Sequence, residues 1–200
     1  MKRNLHILVY LLSMLWLNCQ FPFSTRDPEK PSSTQSSWIQ PTAPEYVLIN
    51  LKNALAEKNS TNYLRCLADT SISGQSFRYH ADPSVANAYP NLFDRWNKLS
   101  ETNYVNQLML FLKPDSVVKL TLSASKSIDI GDINRITLVQ DYQLDVRHTC
   151  KETDCPRLMA GQSELILGRN TESLWAIVEW TDRSSGETPT WSQLRAYFGK

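Results

Sequence analysis

Ile136 to Arg147 reads ITLVQDYQLDVR, and its period decides the fold. Ile136, Leu138, Tyr142, Leu144 and Val146 fall on one side of an extended chain, with Thr137, Asp141, Gln143, Asp145 and Arg147 on the other. Successive side chains of a strand alternate between faces, so this row marks a long strand with one face on a core and one in water. Gln140 is the polar member in the middle of the apolar row. A polar group placed there either finds a buried partner or faces a cavity.

The same period extends to both sides. Upstream, Val118, Leu120, Leu122 and Ala124 alternate with Lys119, Thr121 and Ser123, and Gly131-Asp132 marks the turn before Ile136. Downstream, Leu158–Leu167 and Leu174–Thr181 read as two more strands around the turn residues Gly168-Arg169-Asn170.

Ahead of the strands the period is helical. Thr42-Ala-Pro-Glu45 has capping-box spacing, and Val47, Leu48, Leu51, Ala54 and Leu55 make an apolar stripe up to Glu57. Asn59-Ser60-Thr61 stops that helix and caps a short second one with Leu64 and Leu67 inward. Ser76–His80 reads as a short strand broken by Asp82-Pro83. Two helical segments follow, Pro90–Lys98 and one capped by Ser100, with a stripe of Val105, Leu108, Met109 and Leu112 ended by Pro114. Thr190-Trp-Ser-Gln193 has the spacing of a second capping box and opens a short last helix.

Helices followed by a run of antiparallel strands predict an α+β domain over residues 42–200, with N-terminal helices on a sheet of four to five strands. The element order resembles the nuclear transport factor 2-like (cystatin-like) superfamily. So do Tyr63-x-x-Cys66-Leu67-Ala68-Asp69 and Leu174-Trp175-x-Ile177-x-x-Trp180-x-Asp182. The resemblance implies a curved sheet wrapped around a helix as a cone, with any enzymatic site inside it.

The amino-terminal stretch carries an address. Lys2 and Arg3 precede an eleven-residue uncharged apolar run, Ile7 to Leu17. A membrane-spanning helix takes roughly 20 apolar residues and a signal-peptide core roughly 7–15, so residues 1–18 read as an export signal. No A-x-A-like cleavage site follows. Instead, Trp16-Leu17-Asn18-Cys19 resembles the lipobox of bacterial lipoproteins, which implies a diacylglyceryl group on Cys19. Trp16 and Asn18 depart from the usual pattern. Residues 19–41, with Pro22, Pro28, Pro31 and Pro41 among Ser and Thr, have the composition of an extended tether, with Trp38 and Ile39 docking on the domain. The resemblance implies a lipid-anchored protein at the outer membrane or on the periplasmic face, since Gln20 rather than Asp follows the cysteine.

Chemistry is sparse. Lys and Arg number 21 against 20 Asp and Glu, a net charge of +1 without a basic stripe, so nucleic acid is not an expected partner. Phosphate-loop, zinc-protease, nucleophile-elbow and EF-hand motifs are missing from the sequence. Cys150 and Cys155 bracket a polar turn and read as a disulfide in an oxidising compartment. His148 lies close, but a zinc site needs a fourth ligand the sequence does not supply, so neither metal nor cofactor is expected. Cys66 reads as a buried small hydrophobe. The pocket candidates are Gln140, Tyr142, His148, Trp96 and Trp175. Binding of a small apolar ligand or an envelope protein is the expected function, and a third expectation makes the outer sheet face a homodimer or assembly surface. The competing expectation is a cofactor-free isomerase or dehydratase working inside the cone.

Overall fold

The structure is a computed structural model that describes residues 36–128, 131–152 and 155–200. The export signal, Cys19 and the first part of the tether lie outside the described residues. One compact unit spans Ser36–Lys200.

Helix α1, Pro44–Ala56, buries the expected stripe of Val47, Leu48, Leu51, Ala54 and Leu55 together with Asn50. Asn50 is the polar exception because its amide takes the place of a strand partner. It accepts from Ile39 N at 2.8 Å and donates to Ile39 O at 2.5 Å. Residues 36–41 are thereby part of the domain, ahead of the expected boundary at Thr42. The Thr42–Glu45 capping box does not form. Ala43 occupies the cap position with no side-chain bond, and Pro44 begins the helix. A proline there has no N–H to satisfy and a φ already suited to the helix, which lessens the need for a capping hydroxyl.

Helix α2, Ser60–Arg65, is capped by Asn59, which accepts from Asn62 N at 3.0 Å. Helix α3 is Thr70–Ser73, and strand β1 is Arg78–His80. Asp82-Pro83, expected only to break the strand, instead starts helix α4, Pro83–Ala88, with the Asp82 carboxylate accepting from Ser84 N. Residues 90–97, expected as helix, form turns. Their backbone is committed elsewhere, because Tyr79 N donates to Trp96 O at 3.0 Å and Asn91 sits at φ 68°. Helix α5, Lys98–Leu110, takes its cap from Asn97 rather than Ser100; the Asn97 side chain accepts from both Leu99 N and Ser100 N.

The strands form one six-stranded sheet, more than the four or five expected, in the order β1-β6-β5-β4-β2 with β3 also on β4. Strand β4, Arg135–Val146, is the spine. One of its edges is shared: β2, Val118–Leu122, pairs with Tyr142–Val146, and β3, Lys126–Ile128, pairs with Thr137–Val139. The other edge carries β5, Leu158–Arg169, which pairs in turn with β6, Trp175–Arg183. Gly168 and Arg169, expected in the turn, remain in the ladder opposite Ala176 and Trp175. The turn lies one step later, where the Asn170 side chain accepts from Glu172 N and Leu174 N. Strand β1 joins β6 in parallel, the departure from an all-antiparallel sheet. A bulge at Ile166/Leu167 adds local bend and twist.

Helix α6, Trp191–Phe198, closes the core against β5 and α5. Thr190 is its cap residue as expected, but the Thr190–Gln193 box does not form. The Gln193 amide donates outward to Tyr89 Oη instead.

Candidate functional site

The interior that the resemblance would make a pocket is filled by charge and aromatic rings. Arg195 on α6 and Glu101 on α5 are both fully buried. Arg195 Nε donates to both carboxylate oxygens at 3.1 and 3.0 Å, and Nη2 donates to Oε1 at 2.8 Å. Glu101 also accepts from Tyr63 Oη and Trp96 Nε1, each at 2.6 Å. The Arg195 guanidinium carbon lies 3.9 Å from the Tyr79 ring centroid, 4.4 Å from Trp180 and 5.0 Å from Trp191. These π faces surround a guanidinium whose Nη1 has no hydrogen-bond partner among the described residues. Burial alone would lower the pKa of Arg195, but the Glu101 charge and the neighbouring tyrosines Tyr79, Tyr63 and Tyr104 together outweigh it and hold the group charged.

A second node lies beside the first. Asp182, at the end of β6, accepts from Tyr142 Oη at 2.7 Å, Tyr79 Oη at 3.1 Å, and Ser192 N and Oγ at 2.7 and 2.6 Å. Tyr142 Oη in turn accepts from Trp191 N at 2.7 Å. A carboxylate offers about four lone-pair sites, and the four donors to Asp182 occupy them. Burial, followed by the Asp182 charge, pushes both tyrosine hydroxyls well above their ordinary range. The first node ties α6 to α5, and the second ties α6 to the sheet.

The five pocket candidates do not converge. Gln140 is buried, its Oε1 accepting from Ser125 Oγ at 2.6 Å. Tyr142 and Trp96 reach the polar interior but serve different carboxylates. His148 is buried beyond the end of β4, against Phe198. Trp175 stands outside the core. Glu101 and Arg195 were missed, and Asp182 was noted only as part of a motif, although each interrupts a recognisable apolar pattern. Glu101 lies on the Val105–Leu108 face of α5, Arg195 follows Trp191 and Leu194 on α6, and Asp182 continues the row Val178–Trp180.

Outside the core, a cavity of about 640 Å³ opens between the 38–41 segment, α2, α3 and the β5–β6 turn. Trp38, Leu64, Leu67, Ile72, Leu174 and Trp175 give it apolar walls. Arg65 lies over Trp38 at 3.9 Å, and Lys98 pairs with Asp69 at 2.9 Å at its rim. The floor joins the two motifs quoted for the resemblance: Ile177 N donates to Cys66 O and Ala68 N to Ile177 O, each at 2.8 Å. The Cys66 thiol beneath is buried, which pushes its pKa up to about 12.

Cys150 and Cys155 are free thiols here rather than the expected disulfide. Ligand atoms of His148, Cys150 and Cys155 lie within 4.8 Å of one another, and His148 Nε2 is 3.8 Å from Cys155 Sγ. Burial, then hydrogen bonding with Cys150, pushes the Cys155 thiol up to about 12. Burial lowers the His148 pKa, favouring the neutral ring.

No protein-family model matches the chain, and no curated protein is similar to it in sequence. Solved structures share its fold. A protein from Kribbella flavida aligns with TM-score 0.52 at 10% identity, over 75% of this chain and 92% of that one. A Novosphingobium aromaticivorans protein provisionally described as a scytalone dehydratase aligns with TM-score 0.52 at 9% identity, over 73% and 88%. A Cytophaga hutchinsonii protein described as NTF2-like aligns with TM-score 0.45 at 6% identity, over 69% and 92%. At such identities the likeness is one of fold alone.

Proposed function

We propose that this chain is an exported bacterial protein, held at the outer membrane or the periplasmic face by a lipid on Cys19. Its domain then binds a small apolar ligand, or an apolar segment of an envelope protein, in the groove walled by Trp38 and Trp175. The observation that carries this reading is the contrast between the two candidate sites. The interior is packed by Arg195, Glu101 and their rings, whereas the groove has about 640 Å³ and apolar walls. Ligand sites are concave and mostly apolar with a few polar groups to orient the ligand, as Arg65 and Lys98 would here. The apolar run Ile7–Leu17, followed by Asn18-Cys19, supports the anchor.

Titration with an environment-sensitive naphthalene probe tests the binding reading. Saturable fluorescence enhancement is expected, with roughly tenfold weaker binding in Trp175→Ala and Trp38→Ala, since truncating an aromatic anchor removes most of its contact area. Unsaturable binding, or equal affinity in all three proteins, would refute it.

A second reading, a cofactor-free isomerase or dehydratase, draws on the description of the Novosphingobium neighbour. Its acid and base would come from Tyr79, Tyr142 and Asp182, all of them buried, with both tyrosine hydroxyls donating to the carboxylate. Turnover of a hydrophobic ketone or epoxide that disappears in Tyr142→Phe would favour it.

A further inference from the structure

The loop after β4 is anchored at both ends before it turns. Val146 N donates to Arg157 O at 2.8 Å, and Thr149 N donates to Phe111 O at 2.9 Å. Between these ties the chain presents His148, Cys150 and Cys155 to one point. Their ligand atoms lie within 4.8 Å of one another, and His148 Nε2 stands 3.8 Å from Cys155 Sγ. A tetrahedral zinc ion, with Zn–S near 2.3 Å and Zn–N near 2.0–2.1 Å, places its sulfur and nitrogen donors roughly 3.5–3.8 Å apart. The described separations therefore need only small side-chain rotations to meet that geometry.

A second observation points the same way. His148 is 3% exposed, yet its Nδ1 has no hydrogen-bond partner among the described residues. Its Nε2 donates to the Pro156 carbonyl at 2.9 Å and lies near the Cys155 sulfur, so ligation through Nε2 moves the ring proton to Nδ1 and exchanges the Pro156 bond for the metal. A buried imidazole ordinarily satisfies both nitrogens, so this ring has binding capacity the protein leaves unused. Phe198 meets the ring edge-on at 5.4 Å between centroids and fixes its plane, as the surroundings of a ligating histidine must.

We propose that His148, Cys150 and Cys155 form a site for a thiophilic divalent cation of the zinc class. Two thiolates and one imidazole are the donor set such an ion selects over harder cations. Loading breaks two S–H bonds, releases two protons to solvent and forms two metal–sulfur bonds, so the +2 charge is neutralised locally. Cys150 is half-buried and also lines a cavity of about 620 Å³ with Phe111 and Tyr197, which gives the ion and a solvent ligand an entry path. The site is remote from the Trp38–Trp175 groove in its residues and does not depend on the binding reading. It replaces the sequence expectation that no metal is held here.

The test uses the full chain, kept reduced and freed of metal, titrated with Co²⁺ alone. One equivalent is expected to bind, with sulfur-to-cobalt charge-transfer absorption, and one equivalent of Zn²⁺ should displace it. That absorption should be lost in Cys150→Ser and in Cys155→Ser, and binding should weaken at least tenfold in His148→Gln. Since Cys150 is partly exposed, its serine variant should retain the parent's circular dichroism, which separates loss of the site from loss of the fold. Absence of stoichiometric cobalt uptake by the reduced chain would overturn the proposal, as would charge-transfer absorption that survives both serine substitutions.

Discussion

Arg195 and Glu101 face each other with no access to water, joined by three contacts between 2.8 and 3.1 Å. Removing one partner of a buried pair leaves the other charge uncompensated and costs about 3–5 kcal/mol. Arg195→Met should therefore lower stability by that amount, read as a shift in the urea midpoint. Arg195→Lys should lose less, because the charge stays while the bidentate fork is lost. A change below about 1 kcal/mol in Arg195→Met would mean that the pair is relieved by solvent or rearrangement.

Gly161 stands opposite Tyr142 in the β4–β5 ladder. A Cβ there would meet Arg183 O at 2.5 Å and Tyr142 Oη at 2.9 Å. Gly161→Ala should destabilise by about 1–3 kcal/mol through forced displacement of Tyr142 from Asp182. Thermal melting checks this, and unchanged stability would show that the β5–β6 edge yields.

Asp82 caps α4 and also accepts from Ser184 N at 2.8 Å, tying the helix to the end of β6. Burial alone would raise its pKa, but hydrogen bonds from the Ser84 side chain and from backbone N–H groups outweigh it and hold the carboxyl below its ordinary value. A depressed carboxylate contributes stability that is present above its unfolded pKa, about 4, and is lost as pH falls through the folded value. Asp82→Ala should cost about 1–2 kcal/mol near neutrality. The gap between wild type and Asp82→Asn should close on acidification from about pH 7 to about pH 2. A gap independent of pH would show that the carboxylate charge contributes nothing.

Cys19→Ser should abolish incorporation of labelled fatty acid and release the chain from the membrane fraction. One acyl chain anchors marginally, whereas the several chains of a lipoprotein cysteine anchor stably. Unlipidated wild-type protein in the soluble periplasm would refute the anchor.

Much of this fold was legible in period alone. The row through Ile136 and Val146 located the central strand, and the stripe from Val47 to Leu55 located α1, because burial on one face leaves a direct trace in sequence. What was illegible depended on distant partners. Pro90–Lys98 has helical composition, but Tyr79 claims the Trp96 carbonyl. Strand β3 is exposed throughout and carries no alternation to read. The candidate site failed for a related reason. Glu101, Arg195 and Asp182 each read as a lone polar residue in an apolar row, and only the fold brings them together. Gln140 made the same signal and proved to be satisfied locally by Ser125.

The Glu101–Arg195 pair also imposes a schedule on folding. The two residues are 94 positions apart in the chain, with the long strands between them. In a polypeptide delivered amino end first at about 5–20 residues per second, the acid precedes its counter-charge by roughly 5–20 s. Throughout that interval, burying Glu101 would strand a lone carboxylate in an aromatic interior, so the helical half gains nothing by closing early. An interrupted chain that ends before Arg195 should therefore keep a core more open to protease than the full chain does.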